Sequence, residues 1–263
     1  MSPDAAPCVV FFHAHPDDES IFTGGTIALL ADRGVRTVVV IATGVEPVSP
    51  ADDPTTVAAV RGAEAAAACA LLGVDALHLL GFADAGAVDA VAGDGTAALH
   101  TAPLDDVARR LAELLVSERA TALVVYDEGG IYAHPDHLVV HRAGVAAAEM
   151  AGVDVVYEAT VDREYLHFVE THLVGHAVEW LVGADALVAL NRAPLGVPTV
   201  MVSTTVDVGP VLARKRAAIE THVSQIPRGG AFRSMDDETF AAVYGYEWFV
   251  RRGPVGPLDT VAS

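Results

Sequence analysis

Residues 8–19 read Cys8-Val9-Val10-Phe11-Phe12-His13-Ala14-His15-Pro16-Asp17-Asp18-Glu19, and this stretch decides the fold. CVVFF is an unbroken apolar run of β-formers, the pattern of a strand buried on both faces. It runs directly into a concentrated polar strip. A dinucleotide-binding fold would carry Gly-x-Gly-x-x-Gly at this turn, and Gly24-Gly25 makes no phosphate loop.

Outward from this strand, buried runs alternate with helical patterns. Residues 23–34 predict a helix stopped by Gly34, and 35–42 (VRTVVVIA) a second buried strand. An alanine-rich helix is expected over 57–72, closed by Gly73, then a strand over 76–80. The stripe Leu104, Val107, Leu111, Leu114, Leu115 predicts a helix over 104–117. Strands follow at 121–126 and 153–157, around a helix at 136–151. Strand–helix alternation with unalternating strands specifies an α/β fold: a Rossmann-like, mostly parallel sheet with helices on both faces.

After residue 160 the pattern loosens into a smaller C-terminal elaboration. Helix is expected within 163–182 and over 210–222, and a strand over 199–206, with an aromatic-rich stretch at 244–249. We read one domain over 1–263: a core at 8–160, the elaboration at 161–252 and a loosely ordered Pro/Gly-rich tail at 253–263.

Composition narrows the function classes. At 52% hydrophobic the chain can bury a sizeable core, and a net charge of −19 disfavours nucleic acid and anionic membrane surfaces. No run is long and apolar enough for a spanning helix, and the first residues do not read as a secretory signal. A cytoplasmic location is expected. The two cysteines, Cys8 and Cys69, form no Cys-x-x-Cys pair, which excludes a thiolate zinc site and predicts two buried thiols. Self-association into a homo-oligomer is compatible with all of this.

In an open parallel sheet, ligands bind beyond the carboxyl ends of the strands. Two polar clusters fall there: His15 to Glu19 after the first strand, and His134-Pro135-Asp136-His137 after the fourth. A charged run is ordinarily a solvated loop. Here it is flanked by His and Pro, and its crowded carboxylates repel unless a cation is present. Histidine and aspartate suit zinc or Fe(II), and paired carboxylates let one bind metal while the other takes a proton. Pro135 fits the first turn of a helix, on which His137 and His141 share a face. One of them suffices as a ligand; His141 could equally pack behind the site. A His-Asp-His site with open positions activates water for hydrolysis.

Together these two motifs resemble the signature of the LmbE-like (PIG-L) metal-dependent N-deacetylases, a family that includes N-acetylglucosaminyl-inositol deacetylases and mycothiol S-conjugate amidases. The resemblance covers residues 8–150. It implies zinc, or another divalent ion such as Fe2+, held by His15, Asp18 and His137. It further implies Asp17 as general base, His134 as stabiliser of the tetrahedral intermediate or acid, Asp136 as the carboxylate orienting a histidine, and Tyr132 as a mobile active-site tyrosine. Glu19 completes the motif without an assigned role. Arg61 with Glu64, Asp84 in GFADAG, and Gln225 in His222-Val223-Ser224-Gln225 resemble substrate-contacting segments. The bland readings of Arg61–Glu64 and Asp84 are a helix-surface ion pair and a turn residue. His13 is expected to be structural, and His78, His100, His167, His172 and His176 to be surface or packing residues.

The expected function is removal of an N-acyl group, foremost N-acetyl, from an amino sugar or glycoconjugate. Rivals are an amidase of thiol conjugates, a deacetylase of an antibiotic sugar, a non-haem iron oxygenase, and a non-catalytic metal- or sugar-binding module.

Overall fold

The computed structural model describes residues 7–45, 54–84, 98–173, 177, 181, 195–225, 232 and 235–262. Seven strands form one sheet: β1 (Cys8–His13), β2 (Arg36–Val45), β3 (Ala76–Ala83), β4 (Ala122–Tyr126), β5 (Val156–Thr160), β6 (Thr204–Asp207) and β7 (Tyr246–Arg252). Their order is β3-β2-β1-β4-β5-β7-β6. The first five are parallel, and β7 runs antiparallel to both β5 and β6. Strand order reverses between β1 and β4, so the crevice at their carboxyl ends is the ligand site this topology creates.

The helices are α1 (Asp18–Phe22), α2 (Gly24–Asp32), α3 (Pro54–Leu72), α4 (Leu104–Ser117), the broken turn α5 (Gly130–Ala133), α6 (Pro135–Ala151), α7 (Arg163–His172), α8 (Leu212–Thr221) and α9 (Asp237–Tyr244). They cover both sheet faces, as the buried strands require. Val10, Phe12, Val38, Leu123 and Val125 pack with Leu111 and Leu115 of α4 and Val140 and Ala143 of α6. Val9, Phe11, Val39 and Val124 pack on the other face with Ile27 and Leu30 of α2, Leu72 of α3 and Ala218 of α8. Gly144 lets α6 sit close: a β-carbon there would lie 2.3 Å from Val125 Cγ1. That close seat fixes the helix carrying His137.

The polar strip after β1 turns straight into a helix: Asp17 is the N-cap residue of α1, and Asp18 and Glu19 form its first turn. Two expectations need correction. The strand expected from residue 199 begins at Thr204, preceded by a 3-10 turn at Thr199–Met201. The tail is not loose. Leu258 and Val261 are buried, and Asp259 accepts hydrogen bonds from Gly256 N, Tyr157 Oη, Thr204 Oγ1 and Arg251 Nη1. Its Pro and Gly build the 3-10 turn Pro257–Thr260 that presents this anchor.

Lys215, the single lysine in the sequence, is buried on α8. It donates to Glu247 Oε1 at 2.7 Å, while the Glu247 carboxylate accepts Gly25 N and Thr26 N at 2.8 Å each. This locks β7, α8 and the start of α2 together. Both cysteines are free and buried. Among the described residues no helix is long and apolar enough to cross a membrane.

Candidate active site

β1 and β4 deliver the two polar clusters to neighbouring positions at the sheet edge. Asp18 Oδ2 is the hub. It lies 3.2 Å from His15 Nδ1 and 3.4 Å from His137 Nε2. It also accepts from His15 N at 2.9 Å and from Tyr126 Oη at 2.7 Å. The flanking imidazoles outweigh burial and hold the Asp18 carboxyl well below the usual carboxylate range. Ring nitrogens of His15, His134 and His137 gather within 4.8 Å of one another, as do ligand atoms of His15, Asp84 and Asp136.

His137 tests whether this cluster fits a metal. The side chain is fully buried, yet neither ring nitrogen has a hydrogen-bond partner among the described residues. Two orphaned ring nitrogens in a core are costly. An ion bound at Nε2, facing the Asp18 carboxylate, would relieve one of them. Two imidazoles and a carboxylate are the donor set of zinc and of Fe(II).

His15 Nε2 lies 3.2 Å from both Asp84 Oδ2 and Asp136 Oδ2. Burial alone would lower its pKa, but these carboxylates and Asp18 raise it well above the ordinary value. The histidine that the Asp136 side chain bonds is therefore His15. His134 instead receives the Asp136 backbone N–H at Nδ1, 3.2 Å away, as the cap of α6. This leaves the proton of a neutral His134 on Nε2. Burial and the neighbouring His15 and His137 push His134 down to about 4.

Asp17 is partly buried beside the cluster. Desolvation and the adjacent Asp18 charge push its carboxyl up to about 7. Tyr132 stands over the site, its ring 5.0 Å from that of His137 and 5.9 Å from that of His134. Its turn is strained, with φ of 62° at Ile131 and 63° at Ala133. Asp127 holds that turn by accepting Ile131 N at 3.0 Å and Gly130 N, through its carbonyl, at 2.8 Å.

The outer residues divide. Asp84 follows β3 and reaches His15, so it belongs to the cluster. Arg61 is buried on α3, close enough for its charge to act on Asp17. Glu64 is also buried rather than a surface residue, and its carboxylate accepts Ser224 N at 2.9 Å and Ser224 Oγ at 2.5 Å. Gln225 lies next to this contact, donating to Ser224 Oγ at 3.2 Å. His13 is structural, tied to Tyr126 Oη at 3.1 Å and Thr23 Oγ1 at 2.9 Å. His141 packs behind the site against Tyr126 O at 3.0 Å. His78 pairs with Glu118 at 2.7 Å. His100 departs from expectation, with Nδ1 3.9 Å from Asp136 Oδ1 at the rim of the cluster. His176 lies outside the described residues.

Sequence reasoning passed over Tyr126 and Asp127, and it read His222 only as part of a substrate-contacting segment, whereas His222 Nε2 lies 2.8 Å from Glu19 Oε1. Tyr126 read as the last residue of a buried strand; a phenol at a strand's carboxyl end, facing a polar strip, was the available signal.

With this geometry in view, comparison with known proteins is decisive for kinship. Residues 10–148, just over half of the chain, match the PIG-L family, described as GlcNAc-PI de-N-acetylase. The chain belongs to this family. It is 32% identical over 257 residues to the 1D-myo-inositol 2-acetamido-2-deoxy-alpha-D-glucopyranoside deacetylase of Acidothermus cellulolyticus, covering 92% of this chain and 87% of that one. Two solved structures share the fold. The N,N'-diacetylchitobiose deacetylase of Pyrococcus horikoshii has a TM-score of 0.60 at 21% identity, covering 94% of this chain and 84% of that one. The 4-carboxy-2-hydroxymuconate hydratase of Pseudomonas putida KT2440 has 0.58 at 16%, covering 95% and 98%. One is a deacetylase and the other a hydratase, so the fold by itself does not select the reaction.

Proposed function

We propose that this PIG-L family member is a zinc-dependent N-deacetylase of a 2-acetamido-2-deoxyglucoside, with the inositol-linked sugar of its curated relative as the first substrate class. The observation that carries the reading is buried His137, whose Nε2 makes no hydrogen bond among the described residues yet lies 3.4 Å from Asp18 Oδ2, with the Asp17 carboxyl alongside pushed up to about 7. His15, Asp18 and His137 would hold the ion. Zinc bound there supplies a Lewis acid for the acyl oxygen and lowers the pKa of water.

The protein's own groups do the rest. Asp17, near neutrality, takes the attacking water's proton. Cationic charge at the site would draw its pKa back down, favouring the ionised base. His134, neutral and carrying its proton on Nε2, donates a hydrogen bond to the developing oxyanion. Asp17, having gained the water's proton, can pass it to the leaving amine. Arg61, Asp84 and Gln225 are assigned to the sugar, and Tyr132 to the acyl end of the cleft.

An oxygenase reading gives Asp17 and His134 no task. The test is amine release from a panel containing the inositol-linked N-acetylglucosaminide, free N-acetylglucosamine, a thiol conjugate and an N-acylated antibiotic sugar, with product analysis. Preferential release of acetate and free amine from the first supports the proposal. Cleavage confined to the thiol conjugate replaces it with the amidase reading.

A further inference from the structure

Asp17 has φ 123° and ψ −32°, a region that residues with a β-carbon avoid and that lies well outside the ordinary left-handed well. Such a conformation persists only where its surroundings over-determine it. Three contacts do so. The Asp17 carbonyl accepts Ser20 N and Ile21 N, both at 3.0 Å, as α1 begins. The Asp17 N–H, turned the other way, donates to Glu19 Oε2 at 2.9 Å. Glu19 is itself immobilised: it is fully buried, and Oε1 accepts Ser20 Oγ at 2.6 Å and pairs with His222 Nε2 at 2.8 Å. His222 is fully buried too and caps the C-terminal end of α8, two hundred residues along the chain.

We propose that Glu19 and His222 are positioning residues that hold Asp17 in its strained backbone conformation, so that the C-terminal elaboration sets the aim of the catalytic base. The inference rests on Asp17 being that base. Among the described residues the Glu19 carboxylate bonds Asp17 N, Ser20 Oγ and His222 Nε2, none of them a group of the ligand cluster, and the His222 charge also acts on the Asp17 carboxyl. Asp18, by contrast, is fixed independently by Tyr126 and His15 N. Loss of Glu19 should misdirect the base and leave the ion in place.

The experiment compares Glu19→Ala, Glu19→Gln, His222→Ala and Asp17→Asn as full-length proteins, measuring zinc content, thermal midpoint, kcat and KM. A base displaced by about an ångström costs on the order of 100-fold in rate. Glu19→Ala should therefore lose about that in kcat, keep stoichiometric zinc and leave KM within about threefold. Glu19→Gln keeps an acceptor for the Asp17 N–H and should recover most of the loss. His222→Ala should lower kcat with zinc unchanged, by less than Glu19→Ala, because Ser20 still holds Glu19. Wild-type kcat in folded Glu19→Ala, or zinc lost in step with activity, overturns the proposal. If Glu19→Ala does not fold, His222→Ala decides, and an undiminished kcat there overturns it. If Asp17→Asn is inactive while Glu19→Ala is unimpaired, positioning alone falls. If Asp17→Asn keeps wild-type turnover, the base assignment falls and takes the positioning claim with it.

Discussion

The Tyr126 phenol lies against the His137 imidazole, ring centroids 4.1 Å apart and planes at 20°, while its hydroxyl donates to Asp18 Oδ2 at 2.7 Å. One strand-end side chain thus orients two of the three groups assigned to the ion. Partners behind a ligand set typically contribute 10- to 100-fold in metal affinity. Tyr126→Phe keeps the stack and removes the hydroxyl, which also meets Ala14 N and His13 Nδ1, so zinc affinity should fall by about 10-fold and unfolding free energy by about 1–3 kcal/mol. Competition with a chromogenic chelator checks this; unchanged affinity would show that Asp18 needs no such support.

Backbone strain at Asp17 makes an unusual forecast. Glycine ordinarily destabilises relative to alanine, but at φ 123° it alone escapes the β-carbon penalty. Asp17→Gly should exceed Asp17→Ala in stability by about 1–3 kcal/mol. Urea unfolding of the two metal-free variants reads the difference directly, and alanine at or above glycine would remove the strain argument.

Lys215 and Glu247 form a buried pair that also receives two backbone N–H groups. Lys215→Met would leave the Glu247 charge buried without its cation. The expected loss is about 3–5 kcal/mol of unfolding free energy. Chemical denaturation monitored by tryptophan fluorescence tests this, and a loss below about 1 kcal/mol would mean that the N-terminus of α2 alone satisfies Glu247.

The Glu19–His222 pair should leave a mark on stability against pH. For Glu19, the His222 charge overrides burial and depresses its pKa below the ordinary 4.5; for His222, the Glu19 charge overrides burial and raises its pKa above 6.5. The His222 contribution is complete below 6.5 and fades as pH rises through its folded value. That of Glu19 is complete above 4.5 and fades as pH falls. The thermal-midpoint gap between wild type and His222→Gln should be widest between about pH 4.5 and 6.5 and narrow on either side. A gap that is flat with pH would show the pair to be uncharged.

The core of the fold was legible because β1, β2 and β4 are buried on both faces and announce themselves as unbroken apolar runs. The two motifs then followed from topology, since β1 and β4 flank the point where strand order reverses. Short-range geometry was not legible. Nothing in HPDDE says that Asp17 starts a helix with a positive φ, because that depends on Glu19 reaching back and on His222 arriving from α8. The tail misled for a related reason: Pro and Gly mark turns and loose ends alike, and only the contacts of Asp259 with Tyr157, Thr204 and Arg251 tell them apart.

The central claim is that ion-dependent water activation at this cluster releases an amine. The most direct measurement follows fluorescent detection of amine from the inositol-linked N-acetylglucosaminide by native, chelated and zinc-restored enzyme, with Asp17→Asn in parallel. The account predicts turnover in the native protein, none after chelation, recovery on stoichiometric zinc, and zinc-loaded but inactive Asp17→Asn. Undiminished amine release from fully chelated enzyme would contradict it.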